Sequence, residues 1–302
     1  MKKSSRESGD LHKGLKEYTV TEKGKKRLKG TAIYLLLCIG TGLLLSPLAE
    51  SAVMRTVRNR YLFSSYTKEE IAENIEEAQA AVVEEDITVP DLAGILEHVS
   101  DVERGDVIGV VAIASIGLYQ PILNGMTKAS LLAGAGTFQS GQMMGKGNYC
   151  LAGHHMKDES LLFGPLLQTN LGDWIQLTDK QNLYTYEVTS IEVVHQSDTE
   201  VLEDTETPTV TLITCDRTGV NTNFRLVVKG TLLDVSQVEG SEEENQYLEL
   251  YKYQETNNKK SGGYLIWVWI LGISGLAAVL LWIGKRMLRR NDRDDEESED
   301  LQ

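Results

Sequence analysis

Three side chains in this chain have the types and spacing that could support covalent chemistry. Cys215 closes the run 209–215, where β-branched and aliphatic residues alternate as in a half-buried strand. The turn formers Asp216, Gly219 and Asn221 follow, so the thiol sits where a strand runs out into a loop at the edge of solvent. His154 ends a second strand-like run, 150–154, just before the polar stretch Lys157, Asp158 and Glu159. Arg225 stands at the start of a third, 224–233, and a hairpin through 216–223 would return it beside the cysteine. Arg217, in the turn itself, is a rival with a less fixed position. A thiolate can attack an acyl carbon, an imidazole can protonate the leaving group, and a guanidinium fork can hold an oxyanion or a carbonyl. Ordinary values of about 8.5 for a thiol and 6.5 for an imidazole leave the extent of a thiolate–imidazolium pair open.

The elements that must position these groups read as an all-β domain. Strand-like runs fall at 106–114, 116–122, 149–154, 174–177, 184–194, 209–215 and 224–233, separated by glycine and polar turns. Seven or eight short strands with few helices predict a closed or nearly closed β-barrel. The glycine-rich stretch 131–147 reads as loops with one helical turn. Ahead of the barrel, Thr67 can cap the amide of Glu70 in a capping box, and Ile71, Ile75, Ala78 and Val82 recur at helical spacing through about Val83. Cys150 shares a strand face with Ala152 and His154 and reads as a small buried side chain. There is no internal repeat, no paired-cysteine metal spacing and no phosphate loop between a strand and a long helix.

Two apolar runs flank this domain. Residues 31–53 and 264–284 are each long enough for a bilayer core, and the second carries tryptophans towards both ends. Lys23, Lys25, Lys26, Arg27 and Lys29 precede the first run, and Lys285, Arg286, Arg289 and Arg290 follow the second. The predicted topology has two transmembrane spans, both termini cytoplasmic and the domain between them outside, in the cell membrane. Arg55, Arg58 and Arg60 place positive charge on the outer side and run against this. The first run fits a retained anchor better than a cleaved leader. The expected layout is 1–30 cytoplasmic basic segment, 31–53 anchor, 54–89 juxtamembrane helix, 90–237 barrel, 238–263 polar linker, 264–284 second span and 285–302 cytoplasmic tail. A net charge of -14 argues against nucleic acid as a partner. Of three cysteines, Cys38 lies in the first run. Cys150 and Cys215 are too few for a disulfide scaffold, although one bridge between them fits the sequence.

Ala152-Gly153-His154, then Thr211-Leu212-Ile213-Thr214-Cys215, then Arg225 on the following strand, in that order and spacing, resemble the sortases over 91–235. These are membrane-anchored cysteine transpeptidases of Gram-positive bacteria. The resemblance implies a closed eight-stranded sortase-type β-barrel. It also implies cleavage of a Leu-Pro-x-Thr-Gly sorting signal between threonine and glycine, and transfer of the surface protein to a cell-wall amine such as the peptidoglycan precursor lipid II or a cross-bridge. On this resemblance Cys215 is the nucleophile, His154 the general acid and Arg225 the group at the scissile carbonyl. Thr214, Ile213 and Ala152 match substrate-contacting positions. Some relatives bind calcium through carboxylates in the loop before the histidine strand; here 138–146 has no acidic residue, and neither that site nor any cofactor is expected. The second span is a feature of pilin-assembling class C members, but no Asp-Pro-aromatic lid motif lies between Arg55 and Pro90, which favours a class A-like anchoring enzyme. The alternatives are a pilin polymerase that uses a pilin lysine, and a membrane-tethered barrel that only binds wall peptides.

Overall fold

The structure, a computed structural model, describes residues 36, 39–43, 46, 49–57, 60–61, 63–78, 92–98, 101, 103–139, 141–216, 218 and 222–238. Those from 46 onward fall in one compact unit. Its strands are β1 (Val107–Ile113), β2 (Leu118–Leu123), β3 (Ala135–Thr137), β4 (Asn148–Ala152), β5 (Trp174–Thr178), β6 (Asn182–His195), β7 (Thr209–Cys215) and β8 (Phe224–Gln237). They close into a barrel in the order β1-β2-β3-β4-β7-β8-β6-β5, with β5 pairing back onto β1. Closure pairs each strand on both sides around the barrel, while β6 beyond Glu187 is paired only with β8, and β8 beyond Thr231 only with β6. Two of the pairings are parallel, β2 with β3 and β4 with β7, and the rest are antiparallel.

β1 shows why this sheet is more apolar than simple alternation predicts. All of its residues are buried. Val111 and Ile113 enter the barrel core, while Val110 and Ala112 pack beneath Val57, Tyr61, Phe63, Tyr66 and Ile71 outside it. A strand covered on both faces reads as a continuous apolar run. The covering segment includes helix α1 (Lys68–Glu77), whose start follows the expected capping box: Thr67 Oγ1 accepts from Glu70 N at 3.1 Å, and Thr67 N donates to Glu70 Oε2 at 2.7 Å. The helix ends at Glu77, short of the expected extension through Val83; residues 79–91 lie outside the described residues. Asn74, buried beneath the helix, donates through Nδ2 to Val107 O at 2.7 Å and fixes α1 to the start of β1.

The stretch 131–147 is more ordered than its glycines indicate. It holds the end of α3 (Lys128–Ala133), capped by Thr127, and the short β3. A further helix, α2 (Leu92–His98), contributes Ile95 to a small apolar cluster with Met54, Leu132, Met156, Leu161 and Leu162. No helix among the described residues is long and apolar enough to cross a membrane. The run 264–284 and most of 31–53 lie outside the described residues.

Ile71 is fully buried against the barrel whereas Ile75, one turn on, is 40% exposed. Ile71→Ala should therefore cost about 2–4 kcal/mol of stability and Ile75→Ala less than about 0.5 kcal/mol, measured by urea denaturation. Equal losses would mean that α1 does not dock through this face.

Candidate active site

The parallel ladder sets Cys150 beside Thr211 and Ala152 beside Ile213. The antiparallel ladder sets Thr211 beside Lys229, Ile213 beside Val227 and Cys215 beside Arg225. Residues two apart on a strand share a face, so these pairs form rows across one side of the sheet. The first row is Cys150, Thr211 and Lys229; the second is Ala152, Ile213 and Val227. The third holds Cys215 and Arg225, with His154 at the neighbouring strand end two residues past Ala152. The other face of the same strands, including Tyr149, Leu151, Val210, Leu212, Leu226 and Val228, fills the barrel core. The hairpin expected from the sequence is thus present, with Arg225 directly opposite the cysteine.

The link between β4 and β7 continues past the paired residues. Gly153 N donates to Ile213 O at 3.1 Å, and Thr214 Oγ1 donates to Gly153 O at 2.8 Å. Thr214 is buried and lies on the opposite face from Cys215, because side chains alternate along a strand. Its hydroxyl therefore supports the backbone before His154. Ala152 and Ile213, the other two residues matched to substrate positions, lie side by side in the row next to the thiol. Gly153 makes a close approach possible: a Cβ there would lie 2.5 Å from the Phe163 ring. Phe163 N in turn donates to His154 O at 3.1 Å.

The surroundings of the three groups differ. Cys215 is half-buried and free. His154 is 6% exposed, and burial alone pulls its imidazole down to about 4. Burial thus favours the uncharged imidazole at neutral pH. Arg225 is half-buried, and its Nη1 donates to the carbonyls of Thr222 and Phe224 (3.0 Å to the latter), while Nη2 donates to Gln196 Oε1 at 3.0 Å. Among the described residues, Nε–H and one Nη2–H have no hydrogen-bond partner. Arg217 lies outside the described residues.

His155, the neighbour of His154, is buried with Nδ1 3.2 Å from Asp216 O, which places a proton on Nδ1 and ties the two loops beyond the site together. Cys150 is fully buried and free, and burial pushes its thiol up to about 12, as expected of an inert side chain. The chain after His154 is held from outside the barrel. Arg55 Nη2 lies 3.1 Å from Asp158 Oδ2 and 3.3 Å from Ser160 Oγ. This gives one of the arginines that run against the expected topology a structural role. Gln196, Phe163, Asp158 and Arg55 carry no local sequence pattern that marks them as neighbours of the site. Among the described residues no group of His, Cys, Asp and Glu is placed to hold a metal ion.

A half-buried strand-end thiol, a buried neutral imidazole and a guanidinium at adjoining strand ends of a closed barrel are the equipment of a cysteine-dependent acyl-transfer enzyme. Residues 111–233 match the sortase domain. Sortase A of Listeria monocytogenes serovar 1/2a is 36% identical over 220 residues, covering 73% of this chain and 98% of that protein. Sortase A of Bacillus anthracis is 40% identical over 147 residues, 49% of this chain and 69% of that one. The crystal structure of Listeria monocytogenes sortase A aligns at a TM-score of 0.44 with 43% identity, covering 47% of this chain and 97% of that one. The chain belongs to the sortase family of cysteine transpeptidases, which sets aside the reading as a barrel that only binds.

Two measurements probe this geometry. Gly153→Ala should displace Phe163 and the backbone of His154, costing about 1–3 kcal/mol and at least tenfold in turnover, with partial recovery in Gly153→Ala/Phe163→Leu. No recovery would place the clash elsewhere. His154 also couples stability to pH. An unfolded histidine takes a proton below about pH 6.5, whereas the folded one resists until about pH 4, so stability falls as pH drops through that window. Wild type should lose on the order of 2–3 kcal/mol more than His154→Asn between pH 7 and 4.5. Parallel pH curves for the two proteins would contradict a buried neutral imidazole.

Proposed function

We propose that this protein cleaves a Leu-Pro-x-Thr-Gly-type sorting signal between threonine and glycine and transfers the acyl part to a cell-wall amine. The observation that carries the site assignment is the row that sets Cys215 opposite Arg225 with His154 at the adjoining strand end. Cys215 Sγ attacks the threonine carbonyl carbon, and the thiol proton passes to His154. The remaining donors of Arg225 hold the carbonyl oxygen as charge gathers on it. His154 then gives the proton to the glycine nitrogen as the C–N bond breaks, leaving a thioester on Cys215. An incoming amine reverses these steps: it attacks the thioester, gives its proton to His154, and the thiol is regenerated. Ala152 and Ile213 line the approach to the thiol for the Leu-Pro part of the signal, and Thr214 fixes Gly153 beneath His154.

The names of the relatives, sortase A in two species, favour an anchoring role, with lipid II or a cross-bridge amine as acceptor and LPXTG-bearing surface proteins as donors. In this reading 31–53 and 264–284 are membrane anchors, both termini are cytoplasmic and the barrel faces the wall. The apolar run at 264–284 is the one feature that favours the second reading, a pilin polymerase with a lysine acceptor.

Full-length protein in detergent, given a Leu-Pro-x-Thr-Gly peptide, should form a mass adduct on Cys215 that ends at threonine and is released by hydroxylamine. Cys215→Ala should form none, and His154→Ala should fall about 10²–10⁴-fold in turnover. Turnover by Cys215→Ala would remove the assignment. Product formation with diaminopimelate or oligoglycine, and none with a lysine-bearing pilin peptide, is the expected outcome for an anchoring enzyme; the reverse would make it a polymerase.

A further inference from the structure

Arg225 is held from across the β6–β8 ladder by a residue that nothing in the sequence singled out. His195 pairs with Phe224 and Val194 with Arg225 at the end of that ladder. Gln196 is the first residue beyond β6. Its N–H donates to Asn223 O at 2.8 Å, and its Oε1 accepts from Arg225 Nη2 at 3.0 Å. The turn that carries it is closed by its own bonds: His195 N donates to Asp198 Oδ2 at 3.2 Å and Asp198 N to His195 O at 2.9 Å. The His195 ring lies edge-on to Phe224, with centroids 5.7 Å apart. The amide oxygen of Gln196 is therefore presented from a fixed support.

The other two acceptors for Arg225 are backbone carbonyls at Thr222 and Phe224. They belong to the strand that carries the arginine and to its entering loop, so they move with it. Gln196 is an acceptor from a separate element, the turn that follows β6. It sets the guanidinium relative to the rest of the barrel and leaves the Nε–H edge for the substrate. We propose that Gln196 is a positioning residue for Arg225. It orients the guanidinium towards the thioester-forming carbonyl, and through its turn it joins the arginine to the β6–β7 connection. That connection also reaches the first row of the site, with Leu202 O 4.0 Å from Cys150 Sγ, and is tied to the start of β4 by Asn148 Nδ2, which donates to Val201 O at 3.0 Å and to Glu203 O at 2.9 Å. The proposal rests on the role given above to Arg225.

A double-mutant cycle with full-length protein and a Leu-Pro-x-Thr-Gly peptide tests both. Gln196→Ala should lower kcat about tenfold with KM changed less than about twofold, and the melting temperature should stay within about 2 °C, since the side chain is exposed. Gln196→Glu, which keeps an acceptor at the same reach, should recover at least a third of the lost rate. In an Arg225→Ala background, Gln196→Ala should have no further effect. An undiminished tenfold loss in that background, or full activity of Gln196→Ala, would overturn the proposal and leave the role of Arg225 standing. Wild-type turnover by Arg225→Ala would remove the reading of the arginine and the proposal with it.

Discussion

The parallel register between β4 and β7 is the constraint on which the site depends. Ala152 opposite Ile213 is the last described pair of that ladder, and the two residues that follow on each strand deliver His154 and Cys215. A slip of one residue would turn Cys150, Ala152 and the histidine into the barrel, and Tyr149 and Leu151 out of it. The apolar core prevents this, because Tyr149, Leu151, Val210 and Leu212 are all fully or almost fully buried on the inner face. The packing that stabilises the barrel is therefore the same packing that holds the chemistry in register. The bond from Thr214 to Gly153 O carries this control past the last paired residue.

Burial shapes the electrostatics as much as position does. His154 lacks a carboxylate among its described hydrogen-bond partners, and the drop in its affinity for a proton has desolvation as its cause. A charged imidazole in the free protein would be costly, so in the proposed reaction the proton given to the leaving amine is the one taken from the thiol. The support beneath this histidine comes from well outside the barrel. Met54 packs with Met156, Leu161 and Leu162, and Arg55 pairs with Asp158, so the segment before α1 holds the chain that leaves the site.

Much of this arrangement was legible in the sequence. The alternation at 209–215 gave a strand with the observed bounds, and the polar turn after it gave the hairpin that returns Arg225 to Cys215. The capping box at Thr67 marked the start of α1 to the residue. β3 was not foreseen because Ala135, Gly136 and Thr137 carry no apolar period; the neighbours on both sides, β2 and β4, make it a strand. The docking of α1 on β1 was hidden for a related reason, since a continuous apolar run does not say what covers its second face. The bond from Thr214 Oγ1 to Gly153 O joins residues of two strands far apart in the chain, and no local pattern in the sequence marks it. Gln196 was invisible because it acts through a contact between residues 29 apart in the chain.

The two barrel cysteines sit two rows apart on one face of one sheet, yet their environments are opposite. Cys150 is sealed beneath the β6–β7 connection, with Leu202 O 4.0 Å from its sulfur, and burial keeps it protonated far above neutral pH. Cys215 stands half open at the rim. To an alkylating reagent at neutral pH the barrel therefore offers one answering sulfur and one silent one. The number of labels taken up per folded barrel becomes a count of open rim thiols, and a second label appearing over time becomes a clock for the barrel coming apart.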